Sequence, residues 1–514
     1  MTYKLVMKDA FRQIFWRIVS ALAWFIVIIL ITPYLWTLRY WDYWTIISYF
    51  AFISSLADLG LYSLWLKELW EKVYARSEKS KDQISILYSK VVWSRLFLIF
   101  VVYTFALIIA YFIPSYRENP YLFWGLPLGM FFSAVFMSAG IIQLPLQVYR
   151  KMEHVSFSLI FARISQLLAL FFVVYFIFPL NEFGDSVPLV WFLAIFLTVC
   201  LSSIVQFFYT FFVSRKYITL RFVSFLWFTR KTLQENRKYW VGFFLSSAPT
   251  LLVVLLLSFL YPTKDGYTYV WIRSLALQIF AILLVVPPAI WNSLLHKVSS
   301  YSLEIKKRIF WVYTDILCWF WLLIATNFLF FSQQIIFILW KESYLTPLSV
   351  WNDMSLWLSP SQVIGSDIAL FFLWIVLFFS FIKQAITFSL LAFKKQNLLF
   401  SVNVFGMIFW SFIWFFSILY YNLPWGILTQ VILELFFSAW IIFVAYKNNI
   451  LPNISSYDIG IYLLFFLSIW IIWRILLTSF NFSFEIHLLF AILFNSVCIA
   501  IRWKHLKRKS EQLI

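Results

Sequence analysis

Fourteen apolar runs shape everything this chain can fold into. They occupy residues 14–36, 42–66, 93–113, 122–147, 155–178, 189–213, 239–260, 268–290, 309–331, 366–391, 398–420, 425–446, 457–477 and 485–503, and lysines and arginines crowd every second connection between them. A bilayer core takes about 20 apolar residues per helix, so each run is long enough to cross one. The chain is 63% hydrophobic and only 12% charged over 514 residues, about half the charge an ordinary soluble domain carries. The polar intervals are too short to bury a core of their own. The expected fold is an all-α polytopic membrane protein of about 14 transmembrane helices.

The basic residues fix the expected orientation. With the N-terminus inside, about 32 of the 40 Lys and Arg fall in cytoplasmic segments or at their membrane edge, and only Arg39, Arg117, Lys264 and Lys341 fall in outer loops. The opposite orientation would put nearly all the positive charge outside, against the positive-inside rule. Both termini are therefore expected in the cytoplasm. The N-terminal MTYKLVMKDAFRQIFWR is basic and is followed by no small-residue cleavage site, which predicts a retained first helix.

The net charge of +18 is spread along the flanks of apolar runs and not gathered in a domain, so it predicts no nucleic-acid partner. Cys200, Cys318 and Cys498 each lie inside an apolar run, and the four histidines show no ligand spacing. Neither a disulfide framework, a metal centre nor a cofactor is expected. No phosphate-cradling glycine loop is present.

Organisation follows from spacing. Residues 1–213 form an expected six-helix bundle, 239–446 a second, and 447–514 two additional helices with a basic tail. LPLQVYRKMEHVSFSLIF (144–161) and LLAFKKQNLLFSVNVF (390–405) are similar turns six helices apart, as in a repeat of two bundles around a central cavity. The joining segment 214–238, SRKYITLRFVSFLWFTRKTLQENRK, places an apolar patch between basic clusters. It reads as a connector, or as a segment lying on the inner leaflet and attracting anionic headgroups.

Charges inside spans are costly unless they snorkel, pair or face water. Arg163, Arg273, Lys383 and Arg474 are the basic ones; Asp58, Asp315 and Glu434 are the acidic ones. Asp58 with Arg17 or Arg95 would make a structural ion pair. Amides, among them Gln166, Gln278, Asn292, Gln384 and Asn403, lie in or near the spans as interhelical hydrogen-bonding groups. Outer loops offer little for catalysis. TLRYWDYW holds a lone Asp42, and 332–366 has no histidine and few cations, so enzymatic chemistry is not expected.

Several segments resemble the oligosaccharide-lipid (O-antigen type) flippases of the multidrug/oligosaccharidyl-lipid/polysaccharide exporter superfamily. They are Arg17-Ile18-Val19, ISSLADLGLYSLWLKEL (53–69), GYTYVWIRSLALQIFAILLVVPPAIWNSLLHKVSSY (266–301), IIFILWKESY (335–344) and the turns at 149–154 and 393–397. The first outer loop, Arg39 to Trp44, departs from that family's Gly-rich form. The resemblance implies alternating-access transport of a polyprenyl-pyrophosphate-linked oligosaccharide across a bacterial inner membrane during surface polysaccharide synthesis, alongside membrane lipids, glycan polymerase and glycosyltransferases. It implies Arg17, Arg163, Arg273 and Lys383 as diphosphate partners, Gln278 and Asn292 as sugar-binding amides, and Asp58, Asp315 and Glu434 as coupling or gating acids. A membrane-embedded glycan polymerase or glycosyltransferase, a drug or metabolite exporter, and a lipid II carrier stand beside this reading.

Overall fold

A computed structural model describes residues 3–58, 61–74, 80–149, 151–178, 187–237, 365–393 and 396–448, with scattered positions between 241 and 349. Among the described residues there is no strand. Five helices among them are long and apolar enough to cross a membrane, Asp82–Phe112, Pro120–Val148, Met152–Ile177, Leu189–Ser214 and Ser366–Thr387. The spans expected at 457–477 and 485–503 lie outside the described residues, and so do most positions of those at 239–260, 268–290 and 309–331.

The described residues divide into two compact units. One holds Arg12–Ser274 with Gln396–Ile413; the other holds Met1–Phe11, Leu275–Lys395 and Trp414–Ile514.

The first unit opens at Arg12 within α1, Tyr3–Asp58, which contains no non-helical residue yet is no straight rod. Twenty residues of straight helix span about 30 Å, whereas the rings of Trp24 and Trp44 lie 6.3 Å apart. The run therefore doubles back, and the two expected spans 14–36 and 42–66 form a helical hairpin. After α2 (Leu61–Tyr74) come α3 (Ser80–Phe112), the short α4 (Pro114–Glu118), α5 (Pro120–Ile142), the short α6 (Leu144–Val148), α7 (Met152–Phe172), a π-turn at Val173–Ile177, and α8 (Leu189–Ser214). Pro114 and Pro120 start their helices where no backbone donor is needed.

Contacts set the direction of each span. Trp16 meets Phe157 and the Tyr34 hydroxyl donates to the Phe178 carbonyl, so the first arm of α1 runs parallel to α7. Tyr49 donates to Ala106 and Arg95 to Asp58, so the second arm runs antiparallel to α3. The same arm runs parallel to α5. Successive spans alternate, as the sequence requires.

Packing differs on the two faces of each span. On α3, Ile99, Tyr103, Ala106 and Ala110 are buried at helical spacing, while Phe100, Phe105, Ile108 and Phe112 point outward. The most apolar window of each of the five spans is only 28–50% buried inside the protein. So large an apolar exterior is stable only against lipid. Inside, α5 crosses the second arm of α1 through Gly125 and Gly129. A Cβ at Gly125 would collide with Ile46, and one at Gly129 with Ile46 and Phe50. One turn further on, the Ser133 hydroxyl is 2.9 Å from that of Ser54. This is the small-residue crossing that membrane helices use to approach closely.

At one end of this bundle α2 lays Leu61, Trp65 and Leu69 against Ile84, Leu87, Tyr88 and Val91 of α3 and Ile141, Leu144 and Val148 of α5 and α6. Between the expected spans 42–66 and 93–113, the described residues 67–74 and 80–92 are helical and carry part of this small core.

In the second unit α10 (Ser366–Ala392) fills the expected span 366–391. α11 (Gln396–Lys447), shared between the units, covers both 398–420 and 425–446. Asp367 is fully buried at the start of α10, where it accepts from the Thr346 amide at 3.0 Å and the Thr346 hydroxyl at 2.6 Å.

Candidate functional site

Arg163 stands in the middle of α7, which the expected span 155–178 covers. Its Nη1 donates to Gln166 Oε1, one turn on, at 2.8 Å. Gln166 is buried, and its Nε2 finds no partner. Turning the amide over would set two donors face to face, so the geometry fixes Oε1 toward the guanidinium and leaves the amide donors unused. Among the described residues no carboxylate lies within ion-pair distance of Arg163. The result is a half-buried cation beside an unused buried donor, inside a span. Groups of this kind are costly in a bilayer unless an anion or water reaches them.

Asp58 is placed differently from Arg163, since it already has a cation. The Arg95 side chain forms an ion pair with it, and Arg95 Nη1 donates to the carbonyls of Ala57 and Asp58 at 2.8 Å each. Arg95 is almost fully buried. Its guanidinium thus holds a carboxylate and two backbone carbonyls of α1 at once. Of the two partners the sequence offered, Arg95 forms the pair, while the side chain of Arg17 lies outside the described residues. Nearby, the hydroxyls of Ser54, Tyr103 and Ser133 are mutually bonded at 2.5–2.9 Å. Apolar periodicity gave no sign of this trio, because serines at close crossings also serve as small residues.

Lys383 and Glu434 find each other. The Lys383 ammonium donates to both Glu434 carboxylate oxygens at 2.7 Å, joining α10 to α11. The ammonium also lies 5.6 Å from the centre of the Phe437 ring, and Ser438 Oγ donates to the Phe379 carbonyl at 2.9 Å. As a neutral pair, Lys383 and Glu434 offer no net charge to an anion.

Asp42, the lone acid of the first outer loop, is consumed. It accepts from Arg39 at 3.0 Å and from Asn119 at 2.7 Å, while Arg39 stacks 3.6 Å above the Tyr121 ring. Asn119 also caps α5 through the Tyr121 amide, and the Tyr121 hydroxyl donates to Val187. This clasp ties α1, α5 and the approach to α8 together at one end of the bundle. Among the described residues no three metal-binding side chains gather.

Arg273, Gln278, Asn292 and Asp315 lie outside the described residues, as does the side chain of Arg17.

The alternating apolar spans and buried polar groups define a multi-pass membrane protein. Neither a protein-family model nor a curated protein matches the sequence, but solved structures share the fold. An outward-facing multidrug resistance MATE family transporter of the MOP superfamily matches with a TM-score of 0.61 and 11% identity, over 87% of this chain and 98% of its own. The Vibrio cholerae MATE transporter VcmN in its bent form gives 0.54 at 11% identity, over 86% and 97%. Lipid II flippase MurJ, inward closed, gives 0.59 at 14% identity, over 98% of this chain and 99% of its own. At such identities the likeness is one of fold.

Proposed function

We propose that the protein is a flippase that carries a polyprenyl-diphosphate-linked oligosaccharide from the cytoplasmic to the outer leaflet of a bacterial inner membrane, by alternating access and without chemical change to the cargo. The observation that carries this reading is Arg163, a cation inside a span with no described carboxylate to neutralise it and with the unused Gln166 amide beside it. A diphosphate supplies the missing anion and sugar hydroxyls supply acceptors. The likeness to the lipid II flippase over nearly the whole chain supports a lipid-linked cargo, since the MATE structures leave about an eighth of the chain unmatched.

In this reading the chain is organised as two six-helix bundles, 1–213 and 239–446, with 447–514 added to them. Arg17, Arg163, Arg273, Gln278 and Asn292 are its headgroup-binding residues. Lys383 acts with Glu434 as a latch between α10 and α11, and Asp58 with Arg95 as a hinge stop; Asp315 completes the acids. With the interior negative, each cargo charge is driven outward by roughly 2.3 kcal/mol per 100 mV. Glycan polymerase and glycosyltransferases are the expected working partners.

The test is leaflet transfer in vesicles holding the purified chain and a fluorescent polyprenyl-diphosphate oligosaccharide. Wild type is expected to move it and Arg163→Ala to fail while still inserting. Absence of transfer by folded wild type overturns the reading. The likeness to MATE transporters favours a drug exporter as the second reading; movement of a drug instead of the lipid would select it.

A further inference from the structure

The segment after α8 is no loose tether. Ser85 Oγ donates to the Thr219 carbonyl at 2.6 Å, the Arg221 amide donates to Ser89 Oγ at 2.8 Å, and Trp93 Nε1 donates to the Arg221 carbonyl at 3.0 Å. Ser85, Ser89 and Trp93 recur every four residues on one face of α3, so a polar stripe receives the extended stretch 218–225. The following helix α9, Leu226–Glu235, is pinned by Thr229 Oγ1 donating to the buried Ser94 hydroxyl at 2.7 Å. Ile218 joins the core beneath α2.

What remains outward is amphipathic. Phe222 is 85% exposed, Trp227 70% and Leu226 58%. Around them Arg215, Lys216, Arg230 and Lys231 are exposed as well. The apolar side chains continue the outward face of α3: Phe222 packs on Trp93 at 5.3 Å, and Phe225 on Phe97 at 5.9 Å. Phe97 begins the exposed apolar row that runs on through Phe100. The segment therefore sits where α3 leaves the hydrocarbon, at the end of the bundle that carries the basic connections. Apolar residues there, ringed by cations, match the boundary between acyl chains and anionic headgroups.

The geometry points to residues 215–237 as a pre-formed docking platform for anionic phospholipid of the cytoplasmic leaflet. Phe222, Leu226 and Trp227 enter the acyl boundary, and Arg215, Lys216, Arg230 and Lys231 hold phosphate headgroups. This is independent of the transported cargo.

The test uses the full chain with Cys200, Cys318 and Cys498 replaced by alanine and a bimane label at Phe222→Cys, in vesicles of phosphatidylcholine with increasing phosphatidylglycerol. Nitroxide lipids labelled near the headgroup are expected to quench the label, increasingly with phosphatidylglycerol. Arg230→Gln with Lys231→Gln should raise the phosphatidylglycerol fraction at half-maximal quenching by about fivefold or more. Quenching by aqueous iodide in place of lipid overturns the proposal and leaves the face to a soluble protein. Lipid quenching indifferent to phosphatidylglycerol overturns its anionic part. If the label disturbs folding, spin-labelled phosphatidylglycerol restricted by the otherwise native chain gives the same comparison; equal restriction by the wild type and the double variant is the overturning result.

Discussion

A single intramembrane charge is legible in a sequence, but its partner is not. Glu434 lies 51 residues from Lys383, and hydropathy averaged over a window holds no record of that meeting. The pair makes a specific expectation. Lys383→Met alone strands a carboxylate and Glu434→Leu alone strands an ammonium, which costs about 3–5 kcal/mol in a fully buried pair and less in this half-buried one. The double variant removes both charges and should be more stable than either single one, read as the midpoint of thermal unfolding in detergent. Arg95 was legible as a candidate partner of Asp58, and it does pair with it; its bonds to the Ala57 and Asp58 carbonyls of another helix left no mark in the sequence. Arg95→Lys keeps the charge but cannot hold two carbonyls and a carboxylate together. A loss of about 1.5–3 kcal/mol is expected by the same measurement.

At the scale of the helix, apolar length located the spans. To within a residue, α8 and α10 match 189–213 and 366–391, and α5 with α6 and α7 with its π-turn reach the ends expected at 147 and 178. By contrast, α3 ends where 93–113 does but begins 13 residues earlier. Turns without loops were hidden, since the reversal inside α1 is made with helical residues throughout. A short bismaleimide should therefore join Trp24→Cys to Trp44→Cys in a chain lacking the native thiols, and no product would mean an extended helix. The crossing of α5 with α1 predicts that Gly129→Leu, which sets a branched side chain against Ile46 and Phe50, destabilises by about 1–3 kcal/mol or more. Enlargement at the exposed Thr104 of α3, as Thr104→Leu, should be nearly silent by comparison.

For the whole molecule, alternating charge predicts the sidedness, and contacts in the first unit show its spans running in alternate directions. An impermeant maleimide added to intact cells should label Arg117→Cys, at the end that carries the Arg39–Asp42–Asn119 clasp. It should reach Lys231→Cys only after the membrane is opened. What sequence could not convey is how much polar detail lies inside so oily a chain. The hydroxyl trio and the Arg95 guanidinium among the carbonyls of another helix are each built from residues contributed by distant segments, and the Arg163 guanidinium has no carboxylate partner among the described residues.

The grip of α3 on residues 215–237 also bears on how the chain survives in a cell. Left loose, 23 residues would stretch about 75–80 Å and present Arg215, Lys216, Arg221, Arg230, Lys231 and Arg237 as six tryptic sites. With its backbone tied to a serine stripe and its aromatics sunk in fat, the same stretch cannot thread through a protease cleft. Digestion of inside-out vesicles should spare it until detergent or heat loosens the clasp.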